Sequence, residues 1–201
     1  MARPKSDSFE QNRDDILNHA AACFAARGYA AASMNDIAEA SGTSKARLYH
    51  YYGGKEAILF DLLERYTQRL LGLIGQVEAT AQRRSLDDRA ALHELIRSFL
   101  TEYQSSATRH VALLNDAKHL AKGQRDIIVN RQRDVVAAVT RFLRRAYPLR
   151  VTEHNQTPTT MMLFGMINWT FTWLRPGGAM SYAKFAEEVV AMLEHGLGGK
   201  P

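Results

Sequence analysis

The strongest constraint on this chain is a four-residue break, Ser41-Gly42-Thr43-Ser44, set between two segments too short to be stable helices alone. Before the break, Ser33 is placed to cap a helix and Asp36, three residues on, to close a capping-box-like pair, with Ile37, Ala38 and Met34 on one apolar face. Gly42 suits the positive φ that a helix C-terminus commonly needs, and Thr43 or Ser44 is placed to cap a second helix. That helix, Lys45 to Tyr52, turns Leu48 and Tyr52 inward at i,i+4 and leaves Lys45, Arg47, Tyr49 and His50 off that face. This is the pattern of a helix-turn-helix whose second helix is the reading one.

The rest of the chain has helical periodicity and no strand pattern or internal repeat. Residues 1–8, with Arg3 and Lys5, have the character of a solvated tail. A helix is expected from about Phe9 to Arg27, with Ile16, Ala20 and Phe24 on one face, ending at Gly28. Phe24 and Tyr29 would pack against Ile37, Leu48 and Tyr52. From Lys55 a long stripe runs through Leu59, Leu62, Leu63, Tyr66, Leu70, Leu73, Ile74 and Val77. Further helices are expected from Leu92 to Tyr103, from about Arg109 to Leu120, and from Gln124 to Tyr147, where Pro148 stops the pattern. The face of this last helix carrying Arg125, Arg131, Arg133, Arg141, Arg144 and Arg145 is a solvated surface on the simplest reading. Met161 to Leu174 is apolar nearly all round yet too short to span a bilayer, which predicts burial against its own domain on one side and a second subunit on the other. Ser181 is placed to cap a final helix carrying Tyr182, Phe185, Ala186, Val189, Val190 and Leu193, and two such helices paired with their symmetry mates make a four-helix dimer interface.

The net charge of +5 invites a nucleic-acid reading, but residues 1–54 hold six cationic side chains (Arg3, Lys5, Arg13, Arg27, Lys45, Arg47) against six acidic ones (Asp7, Glu10, Asp14, Asp15, Asp36, Glu39). Any claim on DNA therefore rests on placed side chains and not on bulk charge. No apolar signal-peptide core and no run of 18 apolar residues is present, so a soluble, cytoplasmic protein without a membrane partner is expected. The single cysteine, Cys23, is read as a small buried hydrophobe.

The string Gly28 to Leu59, GYAAASMNDIAEASGTSKARLYHYYGGKEAIL, closely resembles the signature of the TetR family of transcriptional repressors, through Gly28-Tyr29, Ile37-Ala38, Gly42, Ser44-Lys45, Leu48 to Tyr52, and Lys55. Thr43, Arg47 and Tyr52 depart from it, standing where a small aliphatic residue, a small residue and Phe are usual. The resemblance implies an all-α fold of about nine helices: an N-terminal helix-turn-helix DNA-binding domain, residues 1–54, joined by a long fourth helix to a ligand-binding and dimerisation domain, residues 55–201. It implies that Lys45, Ala46 and Arg47 face the major groove, with Arg47 the candidate for a bidentate guanine contact, and that Tyr49, His50 and Lys55 contact phosphates with help from Ser33 and Ser44.

The implied partners are a palindromic double-stranded operator, a second copy of the chain, and a small-molecule effector that lowers DNA affinity by linkage. The residues considered for an effector pocket are Phe99, Tyr103, Leu114, Asn115, Lys118, Phe142, Trp169 and Trp173, each of which taken singly better suits core packing. The stretch Gly165 to Gly178, GMINWTFTWLRPGG, is similar to the corresponding segment of regulators of fatty-acid, steroid and aromatic-acid catabolism, several of which respond to acyl-CoA thioesters. No cofactor and no enzymatic activity are expected: the seven histidines form no HExxH pair and no cluster of metal-ligand spacing, and neither GxSxG nor GxxxxGK[ST] occurs. The alternative function is an architectural or activating DNA-binding protein without a sensor pocket.

Overall fold

In the computed structural model, residues 6–175 and 177–197 are described, and Arg3, Lys5 and Pro176 lie outside them. Ten α-helices and one 3-10 turn are present among the described residues, with no strand. They are α1 (Ser6–Arg27), α2 (Met34–Ala40), α3 (Lys45–Tyr51), α4 (Lys55–Arg83), α5 (Asp88–Ser105), α6 (Ala107–Asn115), the 3-10 turn Ala117–His119, α7 (Lys122–Ala146), α8 (Gln156–Asn168), α9 (Thr170–Trp173) and α10 (Tyr182–Leu197). Counting the four-residue α9 as the tail of α8 gives the nine helices anticipated.

The chain divides into two compact units, and α4 and α7 each contribute to both. The first unit runs up to Thr67 and takes in Thr108–Val129. Its core is the apolar stripe of α1 (Ile16, Leu17, Ala20, Phe24) closed by Ile37 of α2, Leu48 of α3, Tyr52, and Ile58, Leu59, Leu62 and Leu63 of α4, all nearly or fully buried. Each such aliphatic side chain contributes about 1.5–3 kcal/mol on burial. Phe24 meets Tyr29 with ring centroids 5.2 Å apart. Within this unit α6 is tied down by Arg109, which donates to Asn18 Oδ1 at 2.7 Å, and by His110, whose Nδ1 lies 3.2 Å from the Tyr66 hydroxyl.

The second unit holds Gln68–Ala107 and the described residues from Asn130 onward. Here α5, capped by Asp87 accepting from the Ala90 N–H at 2.7 Å, lays Leu92, Leu95, Ile96, Phe99 and Leu100 into the core. Val139, Phe142 and Leu143 of α7, Leu163 and Ile167 of α8, and Ala186 and Val189 of α10 complete it.

Two details differ from the periodicity. The apolar stretch at 161–174 is not one helix: α8 stops at Asn168, Trp169 adopts φ −94°, ψ 9°, and α9 restarts at Thr170. Threonine hydroxyls compete with the helical ladder here, Thr170 Oγ1 donating to the Ile167 carbonyl and Thr172 Oγ1 to that of Trp169. Nor is the stretch buried all round within the chain, since Leu163, Phe164 and Ile167 face inward while Met161, Met162, Trp169 and Trp173 stay about half exposed or more.

Candidate nucleic-acid interface

The geometry of α2 and α3 follows from local chemistry. Ser33 adopts an extended conformation, accepts the Asp36 N–H at 3.2 Å, and its own N–H donates to Asp36 Oδ2 at 2.8 Å, so the capping box is closed at both ends. Ionised Asp36 sits at the positive end of α2 and pairs with Arg27, and the hydrogen bonds from Ser33 above all hold its carboxyl below the usual range. Replacing Ser33 by Ala removes the acceptor and is expected to cost about 1 kcal/mol of stability, read as a lower midpoint in urea unfolding. The break itself depends on Gly42, whose φ of +62° is the left-handed conformation that L side chains rarely adopt. Ser44 caps α3, its Oγ accepting from the Arg47 N–H at 3.1 Å.

On this frame Ser44, Lys45, Ala46, Arg47, Tyr49 and His50 are exposed together on α3 and its cap, and Ser33 is exposed at the start of α2. Leu48, between them in sequence, is fully buried. Arg47 also lines a cleft of 170 Å³ with Asn12, Asp15, Ser41, Gly42, Thr43 and Tyr51. Cationic, hydroxyl and imidazole groups on an exposed helix that a rigid core holds are suited to phosphate and base-edge hydrogen bonding, and to no covalent chemistry.

Lys55, expected at a phosphate, turns its ammonium toward the turn after α1. Its ammonium donates to the carbonyls of Tyr29 and Ala32, both at 2.7 Å, and of Ala30 at 3.3 Å, and lies 4.4 Å from the Tyr29 ring centroid. A lysine has three N–H donors, and here all three close the turn after α1 instead of pointing to solvent. The motif spacing that suggests a phosphate contact is equally that of a residue bracing the Gly28-Tyr29 turn, and the three carbonyl bonds suit the brace.

The sequence offered almost no signal for the group behind α3. Asp61 of α4 accepts from the Tyr52 hydroxyl at 2.5 Å and from Arg13 at 2.8 Å on Oδ2, and from Arg65 Nε at 3.0 Å on Oδ1. Arg65 continues to Glu10 at 2.7 Å and Asp14 at 3.1 Å, and Arg13 returns to Glu10 at 3.1 Å. Burial opposes ionisation of Asp61, but the Tyr52 hydroxyl and the Arg65 and Arg13 guanidiniums outweigh it and keep the carboxyl below its usual range. The same carboxylate, with burial as the larger cause, raises the Tyr52 phenol above its ordinary value. Only the hydroxyl that distinguishes Tyr52 from the Phe usual at this position hints at a polar partner.

The eight residues expected to line a pocket fall in both units. Leu114, Asn115 and Lys118 belong to the first unit, the latter two exposed at the end of α6 and in the 3-10 turn. Phe99, Tyr103 and Phe142 are buried in the second unit at 1–3% exposure, and Trp169 and Trp173 are 53% and 49% exposed. Tyr103 stacks on Phe99 with centroids 5.8 Å apart and donates to Asn168 at 3.2 Å. A cleft of 380 Å³ in this unit is lined instead by α4 and α5, from Arg69, Leu73, Gln76, Val77 and Thr80 across to Arg97, Thr101 and Glu102.

Two family profiles match the chain, one described as bacterial regulatory proteins, tetR family, over residues 16–62, and one as tetracyclin repressor-like, C-terminal domain, over residues 85–197. The chain belongs to the TetR family of transcriptional regulators. Like other TetR-family chains it is a regulator and not an enzyme, with an N-terminal helix-turn-helix and a C-terminal helical domain. It is similar to the HTH-type transcriptional repressor KstR2 of Rhodococcus jostii, 32% identical over 116 residues that span 56% of this chain and 53% of that protein. With KstR2 of Mycolicibacterium smegmatis it is 25% identical over 195 residues, 92% of this chain and 90% of the other. A TetR-family regulator from Bordetella parapertussis superimposes with a TM-score of 0.82 at 36% identity, covering 90% of this chain and 92% of that one. The crystal structure of AibR in complex with isovaleryl coenzyme A and operator DNA shares the fold, with a TM-score of 0.78 at 23% identity over 90% of this chain and 97% of that one. Among the described residues no helix is long and apolar enough to cross a membrane.

Proposed function

We propose that the chain is a ligand-responsive repressor that binds a palindromic operator as a homodimer in the cytoplasm and is released by a small-molecule effector. The observation that carries this reading is the exposed set Ser44, Lys45, Ala46, Arg47, Tyr49 and His50, presented on a short helix whose opposite side is locked into a core. Arg47 reads a guanine, Lys45, Tyr49 and His50 hold phosphates with Ser33 and Ser44, and Lys55 braces the turn behind them. Residues 1–54 are the DNA-reading part and 55–201 the sensing and dimerising part. One such helix reads too few base pairs for useful selectivity, so two are needed one helical turn apart, about 34–36 Å. The exposed Met161 and Met162 of α8, Trp169 at the break after it, Trp173 of α9 and Met192 of α10 supply apolar surface for the pairing. Repression as the sign of regulation is supported by the relatives named as repressors.

Selection of bound fragments from a random pool of 30-base-pair duplexes tests the reading. Enrichment of an inverted repeat with half-sites about 10 base pairs apart is expected, and a pool that stays random at low salt would remove it. For the effector, an acyl-CoA thioester is the class proposed. The arginines of α7 suit the phosphates of such a ligand, and the fold accommodates one, as AibR with isovaleryl coenzyme A illustrates. Isothermal titration with a series of acyl-CoAs and their free acids should give heat with at least one thioester and lower DNA affinity in its presence. Absence of heat from every CoA ester would discard this effector class.

A further inference from the structure

Because α3 has seven residues, it lacks the length to hold an angle by itself, and the face it presents to a groove is set by the side chains that tie it down. Leu48 is one anchor, fully buried at mid-helix. A single anchor fixes the position of a helix but leaves it free to roll about its own axis. Tyr51 and Tyr52 supply the further points. The Tyr51 ring stacks on Phe9 of α1 with centroids 4.8 Å apart, and its hydroxyl accepts from Asn12 Nδ2 at 3.3 Å. Tyr52, the C-cap of α3, donates its hydroxyl to Asp61.

We infer that Asp61 is a positioning residue for base reading: by holding the Tyr52 hydroxyl between α1 and α4 it sets the roll of the recognition helix and so the aim of Arg47. The inference rests on the DNA-reading function proposed above. Its geometric basis is the convergence of three elements on one carboxylate of 13% side-chain exposure: Tyr52 from the end of α3, Arg13 from α1, and Arg65 from α4. The charged groups facing it are Arg13 and Arg65, and behind these stand Glu10 and Asp14. Arg13 also lies 5.8 Å from the Tyr52 ring centroid, so ring and hydroxyl are both fixed. A roll of about 20° would carry a side-chain atom about 6 Å from the helix axis through about 2 Å, well beyond the tolerance of about 0.5 Å within which a base-edge hydrogen bond survives. Tyr52 thus replaces the hydrophobic wedge of a Phe with a directional bond, and Asp61 is the acceptor that gives the direction.

The test uses the full chain and the duplex that the wild type selects from the random pool, compared with a scrambled duplex of the same length. Tyr52→Phe, Asp61→Ala and the double variant are measured at 10 °C, with helicity checked by circular dichroism. Each single variant is expected to lower the ratio of selected to scrambled affinity about tenfold. Affinity for scrambled DNA, which depends on phosphate contacts, should change less than about twofold. The double variant should be no worse than either single one, because both act through one bond. An unchanged ratio in folded Asp61→Ala, which has no acceptor for the Tyr52 hydroxyl, would overturn the inference. Should that variant fail to fold, Tyr52→Phe carries the decision, since it removes one oxygen from a ring that stays packed, and an unchanged ratio there overturns it equally. A wild type without preference for any duplex would remove the DNA-reading function and the positioning role with it, an outcome distinct from a selective wild type with equally selective variants.

Discussion

A chain carrying Met162→Asp and Trp169→Asp is expected to be a folded monomer that has lost at least about a hundredfold in operator affinity. Met162 lies on the exposed side of α8 and Trp169 at the break that follows it, and they are 62% and 53% exposed within the chain. Aspartates there leave the internal core of Leu163, Phe164 and Ile167 untouched, and far-ultraviolet circular dichroism should be close to wild type. In an isologous interface each substitution occurs twice, and burying four unpaired carboxylates against an apolar surface costs several kcal/mol in total, enough to abolish a micromolar dimer. Loss of one half of the reading surface then removes most of the gap of about 10³–10⁷ between specific and non-specific binding. Sedimentation equilibrium and fluorescence anisotropy with labelled operator check both parts. A variant that stays dimeric, or a monomer with full affinity, would contradict the account.

Arg47→Ala is expected to lose selectivity at one base pair of each half-site while leaving the fold unchanged. The part of Arg47 that serves structure is its backbone N–H, which donates to Ser44 Oγ, and alanine keeps it. The side chain is exposed and makes no ion pair among the described residues. A bidentate guanine contact carries about 1–3 kcal/mol of discrimination, so two in a palindrome amount to about 2–6 kcal/mol. Lys45→Ala should act differently, weakening all duplexes alike and reducing the slope of log affinity against log salt by about one per subunit. Equal loss of affinity for every base at the affected position would mark Arg47 as a phosphate contact instead.

The low-lying titration of Asp61 has a consequence for acid stability. Its carboxyl is held below the usual carboxylate range in the folded chain, so its contribution is present above about pH 4, the ordinary range of an unfolded aspartate, and is lost as pH falls through the lower folded value. The helix-turn-helix should therefore lose stability on acidification more steeply in wild type than in Asp61→Asn, as measured by thermal unfolding between pH 3 and pH 7.

Legibility in the sequence tracks the distance over which each interaction acts. The capping box of Ser33 and Asp36, the left-handed Gly42 and the Ser44 cap were legible because each involves residues three or four apart, where spacing alone dictates who can meet. The apolar stripe of α4 was legible for the same reason, since periodicity is local. Asp61 was not: its bond to Arg13 spans 48 residues and its meaning appears only when α1 and α4 pack on α3. The bonds of Lys55 to the carbonyls of Tyr29 and Ala32 were not legible either, since they span 26 and 23 residues. The break at Trp169 was hidden because apolarity predicts burial, whereas threonine back-bonding at Thr170 and Thr172 decides the hydrogen-bond ladder. The grouping of Thr108–Val129 with the DNA-reading helices had no sequence signal either.

Two symmetric copies of α3 entering successive major grooves of one operator would leave a direct chemical footprint. Methylation interference on the selected duplex reads it, because dimethyl sulfate marks guanine N7 in the major groove and adenine N3 in the minor groove. The expected result is interference at a guanine N7 in each half-site, about one helical turn apart and related by the dyad, and its disappearance at those guanines with Arg47→Ala. Interference confined to adenine N3, or to guanines in one half-site alone, would contradict paired major-groove reading by α3.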